Sequence, residues 1–507
     1  MRAGLIGVLA GLVAVAFRRL LEDAEHGRNA LLVACRSLPG ASAWAWAVLP
    51  AIGLVAGSLV GLMVARFAPD SRGSGIPHIK GVLVHLRSMK WTWLLPVKFI
   101  GGIVGIGAGL SLGREGPTVQ MGAAVGRGVS DLLRVPSRSV PQLLSCGAGA
   151  GLAAAFNAPL AGFLFVIEEL HRELSARTFA GALVAALAAD IVTRALSGDL
   201  PSFAVSAYPA IPLGALPFAA AIGAAGGILG VGFNRSLLLA TVQLAASRKA
   251  PAWLKPGLAA ALCGLVAWWM PEAVGGGHAT ADDLLRSNVT MGVGALAVLL
   301  AVKFALTVGS YGSGAPGGIF APMLLLGVIL GTLIAQLVSS VFPDVRSHTT
   351  ALAILGMAAV FTGSVRAPLT AMVLIIELTG NYQQLLALGV ACLVADLTAS
   401  ALRDVPIYEA LLAADLRASP SEHNETHGPA EPRSVYIGVQ RNSALEGKSL
   451  RQAGLPEGCL VVAIERGGRE LLPSANLVLL PGDHITILVP STEAEKALVV
   501  VRLATGL

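Results

Sequence analysis

Apolar residues come in long runs over most of the chain, near positions 3–17, 46–67, 94–112, 142–167, 178–198, 209–233, 257–270, 292–309, 319–341, 351–376 and 384–402. A run of about 20 such residues is what crosses a bilayer, so the pattern predicts membrane helices. Several runs are shorter, and many are broken internally by Gly or Pro. Broken helices are tolerated at membrane depth where protein encloses the freed backbone groups, which predicts half-spanning helices that end inside the molecule. The first run follows a lone Arg2 and stops at Arg18-Arg19 without a small-residue cleavage pattern. It reads as a retained helix, not a signal peptide.

After position 402 the character changes, and residues 418–432 form a stretch rich in polar residues, Pro and Ala that reads as a linker. Beyond it, segments at 435–440, 459–464 and 484–489 predict strands, Gly467-Gly468 a hairpin turn and 492–503 a closing helix. The expected fold is an all-α polytopic membrane protein with a small α/β domain at the C-terminal end. Its expected boundaries are 1–415 for the membrane domain, with halves at about 1–200 and 209–410, then 416–432 for the linker and 433–507 for the last domain.

Composition sharpens that division. Of the 507 residues 55% are hydrophobic and 13% charged, and a mean hydropathy of +0.73 lies well above what a soluble core needs. Lys and Arg number 36 and Asp and Glu 30, and 18 of these charges fall in positions 421–507. That segment is about twice as charged as the rest. A pI of about 9.2 invites a nucleic-acid reading, but the basic residues flank apolar runs, as anchors beside anionic lipid do, so no nucleic-acid partner is expected. The five cysteines lie far apart with no C-x-x-C or Cys/His cluster, so neither a disulfide framework nor a metal site is indicated. No Walker motif is present and the Gly-rich segments do not follow strands, which argues against an enzyme and against a bound cofactor.

An internal repeat is visible. Residues 147–168 (GAGAGLAAAFNAPLAGFLFVIE) align with 356–377 (GMAAVFTGSVRAPLTAMVLIIE), both with A-P-L at the same place and an apolar run closed by Glu. Upstream, Gly113-Arg114-Glu115-Gly116-Pro117 is matched by Gly318-Ile319-Phe320-Ala321-Pro322. Duplicated halves with helices broken at corresponding positions point to an ion or substrate site at the membrane midplane.

Together with Gly73-Ser74-Gly75-Ile76-Pro77 before them and Pro406-Ile407-Tyr408 after them, these motifs closely resemble the CLC family of chloride channels and proton-coupled chloride transporters, over about residues 1–415. The resemblance implies inverted halves, a homodimer with one pore per subunit, and chloride and protons as the transported species. It also implies that Ser74, Tyr408, both termini and the tail face the cytoplasmic side of a bacterial inner membrane. Two departures stand out. The chain begins almost directly at its first apolar run, where many relatives carry a cytosolic helix, and His78 stands where many carry an acid, making the inner mouth less negative.

The tail resembles the TrkA-C (RCK C-terminal) domain of potassium-transport regulators through Glu446-Gly447-Lys448-Ser449-Leu450, Val461-Val462-Ala463-Ile464-Glu465-Arg466 and Leu480-Pro481-Gly482-Asp483. This implies pairing across the dimer and a small cytosolic ligand, with Lys448, Arg451 and Arg466 as candidate contacts or as a solvated basic face. A potassium-transport subunit is not expected, because no filter signature such as T-V-G-Y-G occurs.

An anion crossing a membrane needs donors without full countercharges, or it binds too tightly to leave. Helix N-termini offer unpaired N–H groups and about half a positive charge. Gly73, Gly113, Gly116, Gly317 and Gly318 allow the backbone to approach an ion, Gly75 belongs to the same motif set, and Pro77, Pro117 and Pro322 suit early helical turns. The N–H groups of Ile319 and Phe320 are expected to point at chloride, with the hydroxyls of Ser74 and Tyr408 as neutral donors and Ile76, Arg114 and Ala321 completing the motif set. Glu115 lies in the same kind of helix start and can imitate the anion. Ionised it would block the site; protonated it would swing away, so one group would gate chloride and carry a proton.

Glu168 and Glu169 close an apolar helix, and neighbours on a helix point about 100° apart, so they cannot share one role. The resemblance makes Glu169 the inner proton-transfer acid, while the repeat pairs Glu168 with Glu377 and suggests a structural duty common to both halves. Lys98, Lys303, Asp190 and Asp396 are given no chemistry, the lysines being expected to snorkel from helix ends. His78 and His85 either line the inner mouth or sit in solvated loops. The function expected is proton-coupled chloride exchange gated by Glu115, with a passive voltage- or pH-gated chloride channel of the same fold as the alternative.

Overall fold

The structure is a computed structural model of the chain and describes all residues except 38–43, 85, 172–175, 199–202, 204, 206–208, 210, 287–290, 343–346, 419–432, 441–442, 468 and 490–507. His85, Gly468, the helix expected at 492–503 and nearly all of the expected linker lie outside the described residues.

Two compact units are present. The larger comprises Met1–Ile76, Lys90–Glu169 and Ala176–Tyr408, and its helices, together with one that passes from Ile76 into the second unit, form two series in the same order. The first series is α1 (Arg2–Ser37), α2 (Ala45–Phe67), α3 (Ile76–Leu83), α4 (Trp91–Gly107), α5 (Glu115–Leu132), α6 (Val140–Phe156), α7 (Pro159–Phe165) and α8 (Ala176–Ser197). The second is α9 (Leu216–Ala246), α10 (Lys255–Ala267), α11 (His278–Leu285), α12 (Val293–Gly312), α13 (Phe320–Ser339), α14 (Thr349–Val365), α15 (Pro368–Thr379) and α16 (Leu385–Ala401). Among the described residues, six helices are long and apolar enough to cross a membrane, while α6, α10 and α14 are shorter, as the broken runs predict.

The two series match in detail because the same local chemistry recurs. α6 and α14 both end on a left-handed residue, Asn157 (φ 55°) and Arg366 (φ 65°). Two residues later Pro159 and Pro368 open α7 and α15. A left-handed cap closes a helix, and a proline whose φ is already helical starts the next. Glycines let the flanking helices touch: a Cβ on Gly122 would lie 2.1 Å from the Gly147 carbonyl oxygen, and one on Gly327 2.4 Å from that of Gly356.

Each half also caps the other. Glu377 accepts hydrogen bonds from the N–H groups of Leu160 (3.0 Å) and Ala161 (2.7 Å) in the first turn of α7. Glu168 accepts those of Leu369 (3.1 Å) and Thr370 (2.6 Å) in the first turn of α15, and the Thr370 hydroxyl at 2.7 Å. A carboxylate there satisfies orphan donors and complements the helix dipole. This is the structural duty that the repeat suggests for Glu168.

The second unit comprises Pro77–Met89, Leu170–Ser175 and Glu409–Leu507. It holds α3 from Pro77 onward, most of α17 (Ile407–Ala418) and an antiparallel sheet of β1 (Arg433–Gly438), β2 (Leu460–Arg466), β3 (Arg469–Leu471) and β4 (His484–Val489) in the order β1-β4-β2-β3. The three strands expected from alternation are present within a few residues, and β3 completes the expected hairpin. Composition shifts near position 415, yet Leu86 and Leu416 bury against Ile437, Ile464, Ile485 and Ile487 of the sheet. Arg87 reaches Asp415 at 2.7 Å and Lys80 reaches Glu409 at 3.3 Å. Those contacts join positions far apart in sequence, which a change of composition does not register.

Candidate functional site

Three Gly-rich segments meet in the larger unit. Gly113 and Gly318 exchange backbone hydrogen bonds, N–H to carbonyl, at 2.7 Å in both directions. The Gly73 N–H donates to the Ala315 carbonyl at 3.1 Å and the Gly317 N–H to the Gly73 carbonyl at 3.0 Å. A Cβ on Gly116 would lie 2.8 Å from the Gly318 Cα and 2.9 Å from the Ser74 Cβ. The backbones are therefore in contact, and only glycine permits it.

From this knot α3 begins at Ile76, α5 at Glu115 with Arg114 as its cap, and α13 at Phe320 with Ile319 as its cap. Pro77, Pro117 and Pro322 sit in the first turns of these helices, where a missing N–H costs nothing. Ser74 is fully buried, and its Oγ accepts the Ile76 N–H at 3.4 Å. Tyr408 is fully buried, stacks on Phe320 with ring centroids 6.2 Å apart, and its hydroxyl has no hydrogen-bond partner among the described residues. Phe320 is itself held by Phe165 (5.9 Å) and Phe361 (4.7 Å).

Glu115 is 0% exposed. Its Oε2 accepts the Ala321 N–H at 3.3 Å, so the carboxylate sits on the first turn of α13. Arg114 does not pair with it: the guanidinium reaches Glu22 of α1 at 2.7 Å. Glu169 is also fully buried and lies on a single π turn, Val166–His171, directly after α7. Such a turn inserts an extra residue and redirects the side chains beyond it. Here Glu168 goes to the α15 cap while Glu169 stays inside, and Tyr408 lies within electrostatic reach of both Glu115 and Glu169.

The lysines depart from expectation. Lys98 and Lys303 do not snorkel; both are 0% exposed. Lys98 Nζ donates to the carbonyls of Ser71 (2.9 Å) and Gly73 (2.6 Å), and Lys303 Nζ to those of Ala273 (3.2 Å) and Gly275 (2.7 Å). A buried ammonium is tolerable when several acceptors replace its water, and here those acceptors are the loops that lead into α3 and α11.

One residue of the site escaped the sequence reading. His278 opens α11, and its Nε2–H donates to Glu115 Oε1 at 3.0 Å. A signal for it existed, because Gly275-Gly276-Gly277-His278 stands in the second half where Gly73-Ser74-Gly75-Ile76 stands in the first. Among the described residues no group of three or more His, Cys, Asp or Glu side chains could hold a metal ion.

A family model described as voltage gated chloride channel matches residues 52–400. The chain belongs to that family, the CLC proteins. A TrkA-C domain model matches residues 435–499. The H(+)/Cl(-) exchange transporter ClcA of Yersinia pestis is 39% identical over 421 residues, 82% of this chain and 87% of that protein. The ClcA of Vibrio parahaemolyticus is 38% identical over 421 residues, 82% and 89% of the two chains. Among solved structures, a slow cyanobacterial Cl-/H+ antiporter superposes with a TM-score of 0.78 at 33% identity, covering 83% of this chain and 98% of the other. A eukaryotic CLC transporter superposes with a TM-score of 0.69 at 25% identity, covering 82% and 74%.

The TrkA-C region corrects one expectation. Arg466 is not a free anion contact: on a partly exposed side chain it forms two 2.7 Å hydrogen bonds to the Asp483 carboxylate and a third to the Val478 carbonyl. The Asp483 carboxylate holds its guanidinium above the usual range.

Proposed function

We propose that this CLC chain exchanges chloride for protons across the bacterial cytoplasmic membrane, as a homodimer whose subunits each hold one pathway, with the TrkA-C domain in the cytoplasm. One observation carries the reading: the Glu115 carboxylate occupies the first turn of α13, where two glycine-bounded helix starts converge. A carboxylate and a chloride ion make the same demand there, N–H donors and a positive helix end. In this arrangement Glu115 takes the anion's place. On protonation it loses its attraction to the helix end and leaves, and chloride enters against the N–H groups of Ile319 and Phe320 and the hydroxyls of Ser74 and Tyr408.

The proton travels on Glu115 and exchanges toward the inner side through Glu169, buried within electrostatic reach of Tyr408. Gly73, Gly75, Ile76, Pro77, Gly113, Arg114, Gly116, Pro117, Gly318, Ala321 and Pro322 shape the backbone that receives the anion. The activity named for the ClcA relatives and for the cyanobacterial antiporter supports this reading. The TrkA-C domain adds modulation by a small cytosolic ligand, with Lys448 and Arg451 as contacts. The test is the reversal potential of reconstituted liposomes under a chloride gradient, with and without a pH gradient. A potential that moves with pH and chloride-driven proton uptake are expected. A potential set by chloride alone would make the protein a passive channel.

A further inference from the structure

Glu115 has two partners, and the second belongs to no motif of the anion site. The His278 side chain is 24% exposed while that of Glu115 is 0% exposed, and the two are joined by the 3.0 Å contact from Nε2 to Oε1. Phe156 and Phe203 flank the imidazole, with ring centroids at 6.1 and 5.5 Å. The buried carboxylate thus meets solvent through an imidazole held between aromatic rings.

The repeat explains why the imidazole is held so firmly. Gly73 and Gly75 have φ of +58° and +83°, and Gly275 and Gly277 have +68° and +86°. Each pair precedes a helix of eight residues, and each loop is anchored by a fully buried lysine. His278 therefore occupies the frame that presents Ser74 and Ile76 in the first half.

We propose that His278 is the proton relay between solvent and Glu115. The inference rests on Glu115 as the proton-carrying gate and adds the group that loads it. A proton from solvent binds Nδ1 of the neutral imidazole, and the imidazolium passes its Nε2 proton to Glu115 Oε1. The products are a neutral imidazole and a carboxylic acid, with no net charge moved between them beyond the proton. The uncharged Glu115 then releases the Ala321 N–H, and the anion site opens. Run backwards, the same steps unload the gate.

Other ionisable groups around this pair do not offer a rival path. From α1, Glu22 is paired with Arg114 and Arg18, and Glu25 and Arg28 lie beside Gly275. Lys303 of α12 is bound to the carbonyls of Ala273 and Gly275, and Tyr408 lies within electrostatic reach of Glu115. On α11 itself Asp282 pairs with Arg286, and Asp283 completes the acids of that helix. The neighbours contributed by α6 and α13, Phe156 and Phe320, are apolar. Among the hydrogen bonds of the described residues, that of His278 alone joins Glu115 to a side chain with solvent exposure.

The test uses full-length protein in liposomes with chloride and proton fluxes recorded while pH is varied on one side at a time. His278→Phe keeps an aromatic ring but cannot hold a proton; it is expected to slow exchange roughly tenfold, the loss of one hydrogen bond to a charged group. The dependence of flux on pH between about 5 and 8, where imidazoles change charge, should flatten. Added imidazole buffer should restore flux to His278→Gly and leave the wild type unchanged. In a Glu115→Gln background, which has no carboxylate to load, the effect of His278→Phe should vanish. An equal loss in that background, or no imidazole rescue together with an unaltered pH profile, would overturn the relay. If wild-type vesicles pass chloride without moving protons, exchange itself fails. The same pH profile then still decides whether His278 loads the gate.

Discussion

The loop before α3 and the loop before α11 are the same object built twice and put to different uses. Both are anchored by a fully buried lysine, carry two left-handed glycines and open a helix of eight residues. One presents Ser74 beside Gly116; the other presents the His278 imidazole to Glu115. Duplication preserved the part that is hard to build, a backbone bend with a buried charge beneath it. It left the residues on that bend free to change: Ser74 has Gly276 as its counterpart, and Ile76 has His278, a group that can hold a proton.

The largest effects are expected at the two acids. Glu115→Gln is expected to cut chloride-driven proton uptake by roughly a hundredfold or more, the scale of removing a positioned acid–base group, while chloride still passes. Glu169→Gln should do the same from the other end of the proton route. Proton uptake against its gradient in either variant would show that the protons travel elsewhere.

The shared frame comes next. Lys98→Met and Lys303→Met each remove two charge-assisted hydrogen bonds to buried carbonyls, so each should lower stability by about 2–4 kcal/mol. Thermal unfolding in detergent reads this directly. Similar losses are expected, and a large inequality would mean that the loops are alike in shape but not in load.

The reciprocal caps sharpen the comparison at a smaller scale. Glu168→Gln and Glu377→Gln should each cost about 0.5–2 kcal/mol of stability, the usual worth of a helix N-cap, without changing the ratio of chloride to protons. A change in that ratio with Glu168→Gln would give it a transport role that its contacts with α15 do not suggest.

Ser74→Ala removes one hydroxyl near the proposed ion and should weaken chloride binding by at most about 1.5–3 kcal/mol, with water recovering part of it. Calorimetric titration with chloride checks this. The smallest effect is expected at Gly276, the counterpart of Ser74. A Cβ there would meet nothing closer than the Leu112 carbonyl at 3.4 Å, so Gly276→Ser should change stability by under about 1 kcal/mol. A marked loss would mean that the second loop has no room for the first loop's chemistry.

Much of the site was legible because its motifs are local. Gly and Pro around Gly113-Arg114-Glu115-Gly116-Pro117 and Gly318-Ile319-Phe320-Ala321-Pro322 dictate helix starts whatever surrounds them, and those starts lie where expected. Tyr408 and Glu169 are buried as their motif positions imply. His278 was missed because a lone histidine after three glycines means little until its partner, well over a hundred residues earlier, lies beside it. The lysines were misjudged for a related reason. Snorkelling is the default for a cation beside an apolar run, and only the folded chain brings two carbonyls to each ammonium.

The sequence alone determined the membrane embedding, the duplication, the family and the helix starts at the Gly/Pro motifs, because each depends on local composition or on neighbours a few residues apart. Tertiary structure alone decided which donors those starts share, that Glu115 lies on the first turn of α13, that Leu86 and Leu416 bury with the sheet, and that a partly exposed imidazole meets the buried Glu115. Those are long-range pairings. A chain of 507 residues specifies them through packing and burial, and no window along the sequence contains both partners.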